Sequence, residues 1–187
     1  MAKISLKTAY NYSPNFTTYK RNKKNIKYLI YHYTGMRSEI EALNRLTNEN
    51  SKVSCHYFIK TSGQIIQIVP DLYVAWHAGI SNWKEDSSLN SNSIGIEISN
   101  PGHDHGYKNF TRKQIVSIIG LSKKLKKKYK IKKENILGHS DIAPTRKKDP
   151  GEKFPWELLY KKKLSIWHKI SKKKCKELRM VKLSDNR

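Results

Sequence analysis

A single α/β domain, with a mixed central β-sheet flanked by helices, is the fold this sequence predicts. Three observations carry it. Apolar runs of strand length recur at residues 26–32, 54–60, 64–69, 93–99 and 135–138. Two of these runs are joined by the short turn Thr61-Ser62-Gly63, which makes them a hairpin. Stretches of helical periodicity separate others, as crossover connections between parallel strands require.

The chain opens on an extended arm, residues 1–24, which is polar and rich in Tyr and Asn. Ile26-Lys27-Tyr28-Leu29-Ile30-Tyr31-His32 follows as a β-rich run that reads as a buried strand. Ser38 with Glu41 forms a capping box for a short amphipathic helix carrying Ile40, Leu43 and Leu46. After the hairpin, residues 93–99 (SIGIEIS) alternate Ile with small or polar residues, the period of a strand. Thr111 with Gln114 is a second capping box. Behind it Ile115, Ile118, Ile119, Ser122, Leu125 and Tyr129 share one helical face and the lysines take the other. A short strand at 135–138 runs into a loop expected over 139–151. Phe154-Pro155-Trp156 then opens a short helix, with Pro155 suited to the first turn. The domain is expected over 25–165 and a basic tail over 166–187, nearly free of core residues after Ile170.

Composition excludes several classes. With 37% hydrophobic residues the chain is not a disordered polyelectrolyte, despite a net charge of +23. No run approaches the roughly 18 apolar residues of a membrane-spanning helix. The first residues lack an apolar h-region, a cleavage site and a lipobox, which points to the cytoplasm, or to the periplasm should the chain be truncated. Cys55 and Cys175 are the only cysteines, so there is no disulfide framework, and any metal must rest mainly on histidines and carboxylates. The lysine runs, such as 126–128, 161–163 and 172–174, read as a solvated surface. Nucleic-acid binding is not expected, because Lys far outnumbers Arg and no compact recognition motif accompanies the runs.

His32 and His139 each sit at the end of an expected strand, where open α/β sheets place their ligand sites, and Asp149 follows across a Pro-bearing loop. Two imidazoles and one carboxylate make a three-ligand zinc site with a fourth position for water. Residue types alone leave this open against histidines that are simply hydrogen-bonded. Glu97 lies between Ile96 and Ile98, so its carboxylate faces a cleft or solvent; near activated water it would be a general base. Lys147, two residues before Asp149, reads as an oxyanion donor or as one more surface lysine.

Five segments then bear on family: YHYTG; SCHYFI followed by GQIIQIVP; AWHAGISNW; LNSNSIGIEISNPG; and GHSDIAPTRKKDPGEKFPW. Together, over roughly residues 13–159, they resemble the amidase-2 family of N-acetylmuramoyl-L-alanine amidases, to which peptidoglycan recognition proteins and phage lysozyme-amidases also belong. The resemblance implies a hydrolase of bacterial cell-wall degradation or peptidoglycan recycling. It would cut the amide between N-acetylmuramic acid, or its anhydro form, and L-alanine in peptidoglycan or muropeptides. It implies one zinc per chain held by His32, His139 and Asp149, with Glu97 and Lys147 as the catalytic pair. All five positions are filled, which favours an enzyme over a binding module.

The resemblance makes His77 a cleft residue that contacts substrate. Trp76 reads as a groove wall or as core, Trp83 as a groove wall, and Tyr33 and Asn100 as substrate contacts or as packing and turn residues. His56 is expected to be structural and near the site, and the His103-Asp104-His105 run to be a solvated loop. The form of the sugar stays open.

Overall fold

The computed structural model describes residues 8–168 together with Ile170, Ser171, Lys173, Lys174 and Glu177. Cys175 and most of the expected tail lie outside the described residues. In chain order the strands are β1 (Thr8–Tyr10), β2 (Phe16–Thr17) and β3 (Tyr28–Tyr33), followed by helix α1 (Glu39–Thr47). Next come β4 (Tyr57–Ile59), β5 (Ile65–Gln67), β6 (Val74–Ala75), β7 (Asn82–Trp83), β8 (Asp86–Ser87) and β9 (Ser93–Ile98). Helix α2 (Arg112–Tyr129), strand β10 (Ile136–Gly138) and helices α3 (His139–Ile142) and α4 (Trp156–Lys161) complete the domain.

Six strands form one sheet in the order β1-β5-β4-β9-β3-β10. The hairpin supplies its antiparallel pair, β4 with β5, whereas β4–β9, β9–β3, β3–β10 and β1–β5 are parallel. The mixed sheet expected from the sequence is therefore present. Part of the N-terminal arm belongs to it, since β1 pairs with β5 as an edge strand.

Two boundaries differ from the sequence reading for local reasons. The strand expected from residue 26 starts at Tyr28, because Asn22 accepts the Lys24 N–H and caps a 3-10 turn, Lys23–Asn25, that Ile26 closes. The loop expected over 139–151 begins instead with the helical turn α3, started by the Asp141 carboxylate accepting the Gly138 N–H at 2.7 Å. The two predicted caps also differ. Thr111 and Gln114 exchange both bonds of a capping box (2.9 and 3.1 Å), while Ser38 only accepts from the Glu41 N–H at 3.3 Å. The Glu39 carboxylate accepts from the backbone N–H and hydroxyl of Thr61.

Strand period 2 decides what each face of the sheet carries. Leu29 and Tyr31 of β3 with Ile94, Ile96 and Ile98 of β9 point to α2 and pack on Ile118, Leu121 and Leu125. Ile96 is fully buried at the centre of this layer, where truncation to Ala should cost about 2–5 kcal/mol. On the opposite face Phe58 and Ile66 pack on Ala42 and Leu46 of α1. His32 and Glu97 fall on this second face by the same alternation. The α2 face thus fixes the strands, and the other face is left to carry polar groups.

Candidate active site

His32 is the fifth residue of β3, and His139 follows directly on β10, its parallel neighbour. Asp149 comes back to them at the end of the loop after α3, held where the Ser140 N–H donates to its carbonyl at 2.9 Å. The three side chains are buried and converge. His32 Nδ1 and His139 Nδ1 lie 2.9 Å apart, and Asp149 Oδ2 is 3.1 Å from each. Among the described residues this is the one His/Cys/Asp/Glu group arranged to hold a metal ion.

Hydrogen bonds on the far side of each ring decide which atoms face inward. Ser93 donates its hydroxyl proton to the Leu89 carbonyl, so its oxygen accepts from His77 Nε2 at 3.1 Å. His77 Nδ1 is then the acceptor for His32 Nε2–H at 3.0 Å, which leaves His32 Nδ1 bare. His139 Nε2–H donates to the Ala78 carbonyl at 3.0 Å, which leaves its Nδ1 bare too. Burial, reinforced by His139, pushes His32 down to about 4, and burial with His32 pushes His77 well below the usual imidazole range. The two Nδ1 atoms and a carboxylate oxygen are thus directed at one point. Such an arrangement is repulsive until a cation sits there, and the donor set suits a divalent transition metal.

His77 reaches this position because residue 95 is glycine: a Cβ there would lie 2.4–2.7 Å from the imidazole ring. The side chain lines the cleft but spends both nitrogens on His32 and Ser93, so it braces a candidate ligand. His56 stays off the cluster. Its Nδ1 accepts the Gly95 N–H at 3.0 Å and its Nε2 meets the Tyr73 carbonyl at 3.1 Å, a structural role.

A cleft of about 440 Å³ opens over the cluster. Glu97, the register partner of His32 on β9, lines it, and its Oε2 is buried with no hydrogen-bond partner among the described residues. Burial, and then the Asp149 carboxylate, push the Glu97 carboxyl well above its usual range, opposed by Lys147. Lys147 and Lys148 line the cleft and make no ion pair among the described residues. Arg146 is committed elsewhere: its guanidinium donates to the carbonyls of Ala78 (2.6 Å) and Ile80. Ala78 is the same carbonyl that holds His139.

Trp76 lines the cleft, its indole N–H donating to Thr17 at 3.1 Å, and Tyr33 lines it too. Asn100 takes the turn role of its two readings, and Trp83 is not a groove wall. Asn100 does not line the cleft: its amide donates to the Lys108 carbonyl and its Oδ1 accepts from Gly102, so it is spent on the loop. Trp83 packs against the buried group around Tyr28, Ile30 and Leu137, also away from the cleft. His103 is no solvated bystander. It lies 2.9 Å from the Tyr33 hydroxyl and pairs with Glu152 at 3.0 Å.

Comparison with known families is decisive at this point, because the N-acetylmuramoyl-L-alanine amidase family, amidase-2, matches residues 22–152 and so takes in every residue of the cluster. The chain belongs to that family. It is 39% identical over 154 residues to the N-acetylmuramoyl-L-alanine amidase AmiD of Escherichia coli, covering 76% of this chain and 55% of AmiD. It is 41% identical over 107 residues to the 1,6-anhydro-N-acetylmuramyl-L-alanine amidase AmpD of Haemophilus influenzae, covering 57% and 56%. The chain thus spans about half the length of the curated relatives it matches. The solved complex of E. coli AmiD with anhydro-N-acetylmuramic acid-L-Ala-D-gamma-Glu-L-Lys superposes with a TM-score of 0.71 over 76% of this chain and 59% of that one. AmpDh3 of Pseudomonas aeruginosa does so at 0.73, with 33% identity, over 81% and 64%.

Sequence reasoning missed Arg146, Gly95, Ser93 and the exposed Arg45 of α1, which also lines this cleft. None had a readable signal. Arg146 is one of three adjacent cations, and the purpose of Gly95 exists only once His77 has folded against it.

Proposed function

We propose that this chain hydrolyses the amide between N-acetylmuramic acid, in its ordinary or anhydro form, and L-alanine of peptidoglycan or muropeptides, with one zinc held by His32, His139 and Asp149. One observation carries the reading. Three buried acceptor atoms converge at 2.9–3.1 Å beneath a cleft lined by Glu97, whose Oε2 has no hydrogen-bond partner among the described residues, and by Lys147. Zinc in such a set supplies Lewis acidity, activating water and polarising the carbonyl. The chain's own residues do the rest. Glu97 takes the proton of the attacking water at its buried Oε2 and hands it to the leaving amine. Lys147 presents its ammonium to the oxygen on which negative charge builds. Tyr33 and Trp76, which line the cleft, contact the sugar and peptide beside the scissile bond.

AmiD and AmpD are named for this bond, and the AmiD complex holds an anhydro-muramyl peptide. The test is mass spectrometry of intact sacculi and of isolated anhydro-muropeptides after incubation with the protein, with chelator and with zinc returned. Release of free stem peptides beginning at L-alanine, abolished by chelator and restored by zinc, is expected. Intact substrate in every arm would overturn the reading. Restoration by zinc of products cut elsewhere would assign a different bond.

A further inference from the structure

A second cleft, of about 640 Å³, opens at the other end of the sheet. Tyr28, at the start of β3, lines it, whereas His32 sits four residues on, about 13 Å along an extended strand. Of its eleven lining residues seven are lysines, and none is acidic. They come from separate segments. Lys23, Lys24 and Lys27 precede β3, Lys84 is in the β7–β8 turn, Lys128 and Lys130 end α2, and Lys132 lies between α2 and β10.

Part of this is ordinary. A helix C-terminus favours cations, and Lys128 is also neutralised by Asp71 at 2.7 Å. Lys27 is neutralised by Asp86 at 2.9 Å. Lys23, Lys24, Lys84, Lys130 and Lys132 have no ion pair among the described residues. Lys84 and Lys130 hold left-handed backbone (φ 54° and 55°), a conformation that side chains other than Gly and Asn adopt at a cost. Five unpaired ammonium groups therefore rim one cavity.

The chemistry of the walls narrows the ligand. Ammonium groups bind phosphate as point charges, and the cleft has no arginine fork for planar, bidentate carboxylate recognition. Its aromatic residues, Tyr28 and Tyr129, are buried, with their hydroxyls donated to Asp86 and Asp71, so neither offers a face on which a base could stack. We propose that this cleft binds a group bearing two or more clustered phosphates, either free in solution or as the head group of a lipid. The proposal is independent of the amidase reading.

The test compares two variants that lose the same charge. One carries Lys23→Gln, Lys24→Gln, Lys84→Gln and Lys132→Gln; the other carries Lys113→Gln, Lys123→Gln, Lys124→Gln and Lys127→Gln, all outside the cleft. Calorimetry with inorganic tripolyphosphate should show binding that weakens on the order of ten-fold or more in the first variant, with a shallower salt dependence. The second should stay within about two-fold of the parent. Equal weakening in both would reduce the effect to net charge and overturn the site, as would no binding by the parent. Co-sedimentation with phosphatidylcholine vesicles, with and without cardiolipin, separates the sources. Cardiolipin-dependent binding lost only in the cleft variant assigns a lipid head group. Tripolyphosphate binding without vesicle binding assigns a soluble phosphate.

Discussion

His32 and Glu97 are register partners on the adjacent parallel strands β3 and β9, so strand pairing alone sets a candidate metal ligand beside a candidate base. Neighbouring strands run about 4.8 Å apart, and both side chains leave the sheet on the face that α2 does not cover. Leu29, Tyr31, Ile94, Ile96 and Ile98 on the other face lock that register, because a slip of one residue would turn every one of them outward. Catalytic geometry is thus held by the core.

Glu97→Gln tests the base directly. The amide is nearly isosteric, and Glu97 is not among the cluster that could hold the metal, so fold and metal content should persist. Loss of a general base lowers the rate by roughly 10² to 10⁴. Turnover near that of the parent at full metal loading would remove Glu97 from the mechanism.

The pH profile follows from the same side chain. Burial and Asp149 raise the Glu97 carboxyl above its ordinary 4.5, and a base works only when deprotonated. Activity should therefore fall as pH drops through the raised value, with the acid limb of kcat/KM lying above 4.5. Lys147 opposes the shift, so its removal should move the limb further up. An acid limb at or below the ordinary carboxylate value would contradict the environment described for Glu97.

His77 should affect metal binding more than catalysis. It accepts the proton that fixes the His32 tautomer, and such supporting hydrogen bonds are typically worth about 10- to 100-fold in metal affinity. His77→Ala should lower zinc affinity in that range, measured by competition with a chelating dye. Gly95→Ala should do the same without touching a polar group, since the new methyl would displace the ring. Unchanged affinity in both would return His77 to the role of substrate contact.

The parts of the fold legible in the sequence were those whose cause is local. The hairpin, the α2 capping box and the alternation of β9 are each written within a few residues. The edge strand β1 was not, because its pairing with β5, far along the chain, leaves no pattern in three residues. At the site, residue types and spacing left His32, Glu97, His139, Lys147 and Asp149 open, and the family resemblance singled them out; the fold gathers them around one cleft. Asn100 takes the turn role of its two readings, and Trp83, read as a groove wall, packs away from the cleft. Adjacency along a strand end or loop does not say which way a side chain turns.

Arg146, Lys147 and Lys148 form a run in which charge alone distinguishes nothing, yet their surroundings differ. Arg146 spends its guanidinium on Ala78 and Ile80, and Ala78 in turn holds His139. Arg146→Ala should therefore lower metal affinity and thermal stability along with activity. Lys147 and Lys148 both reach the cleft, but Lys147 alone acts on the charge of Glu97 and of His32. If its ammonium meets the developing oxyanion, Lys147→Ala should lower kcat about 10²- to 10³-fold, or roughly 3–4 kcal/mol, with KM and zinc content little changed. Lys148→Ala should leave kcat nearly intact. Steady-state kinetics with metal analysis on the three variants separates the roles. Equal, small losses at Lys147 and Lys148 would show that neither stabilises the oxyanion and would leave that charge to the metal.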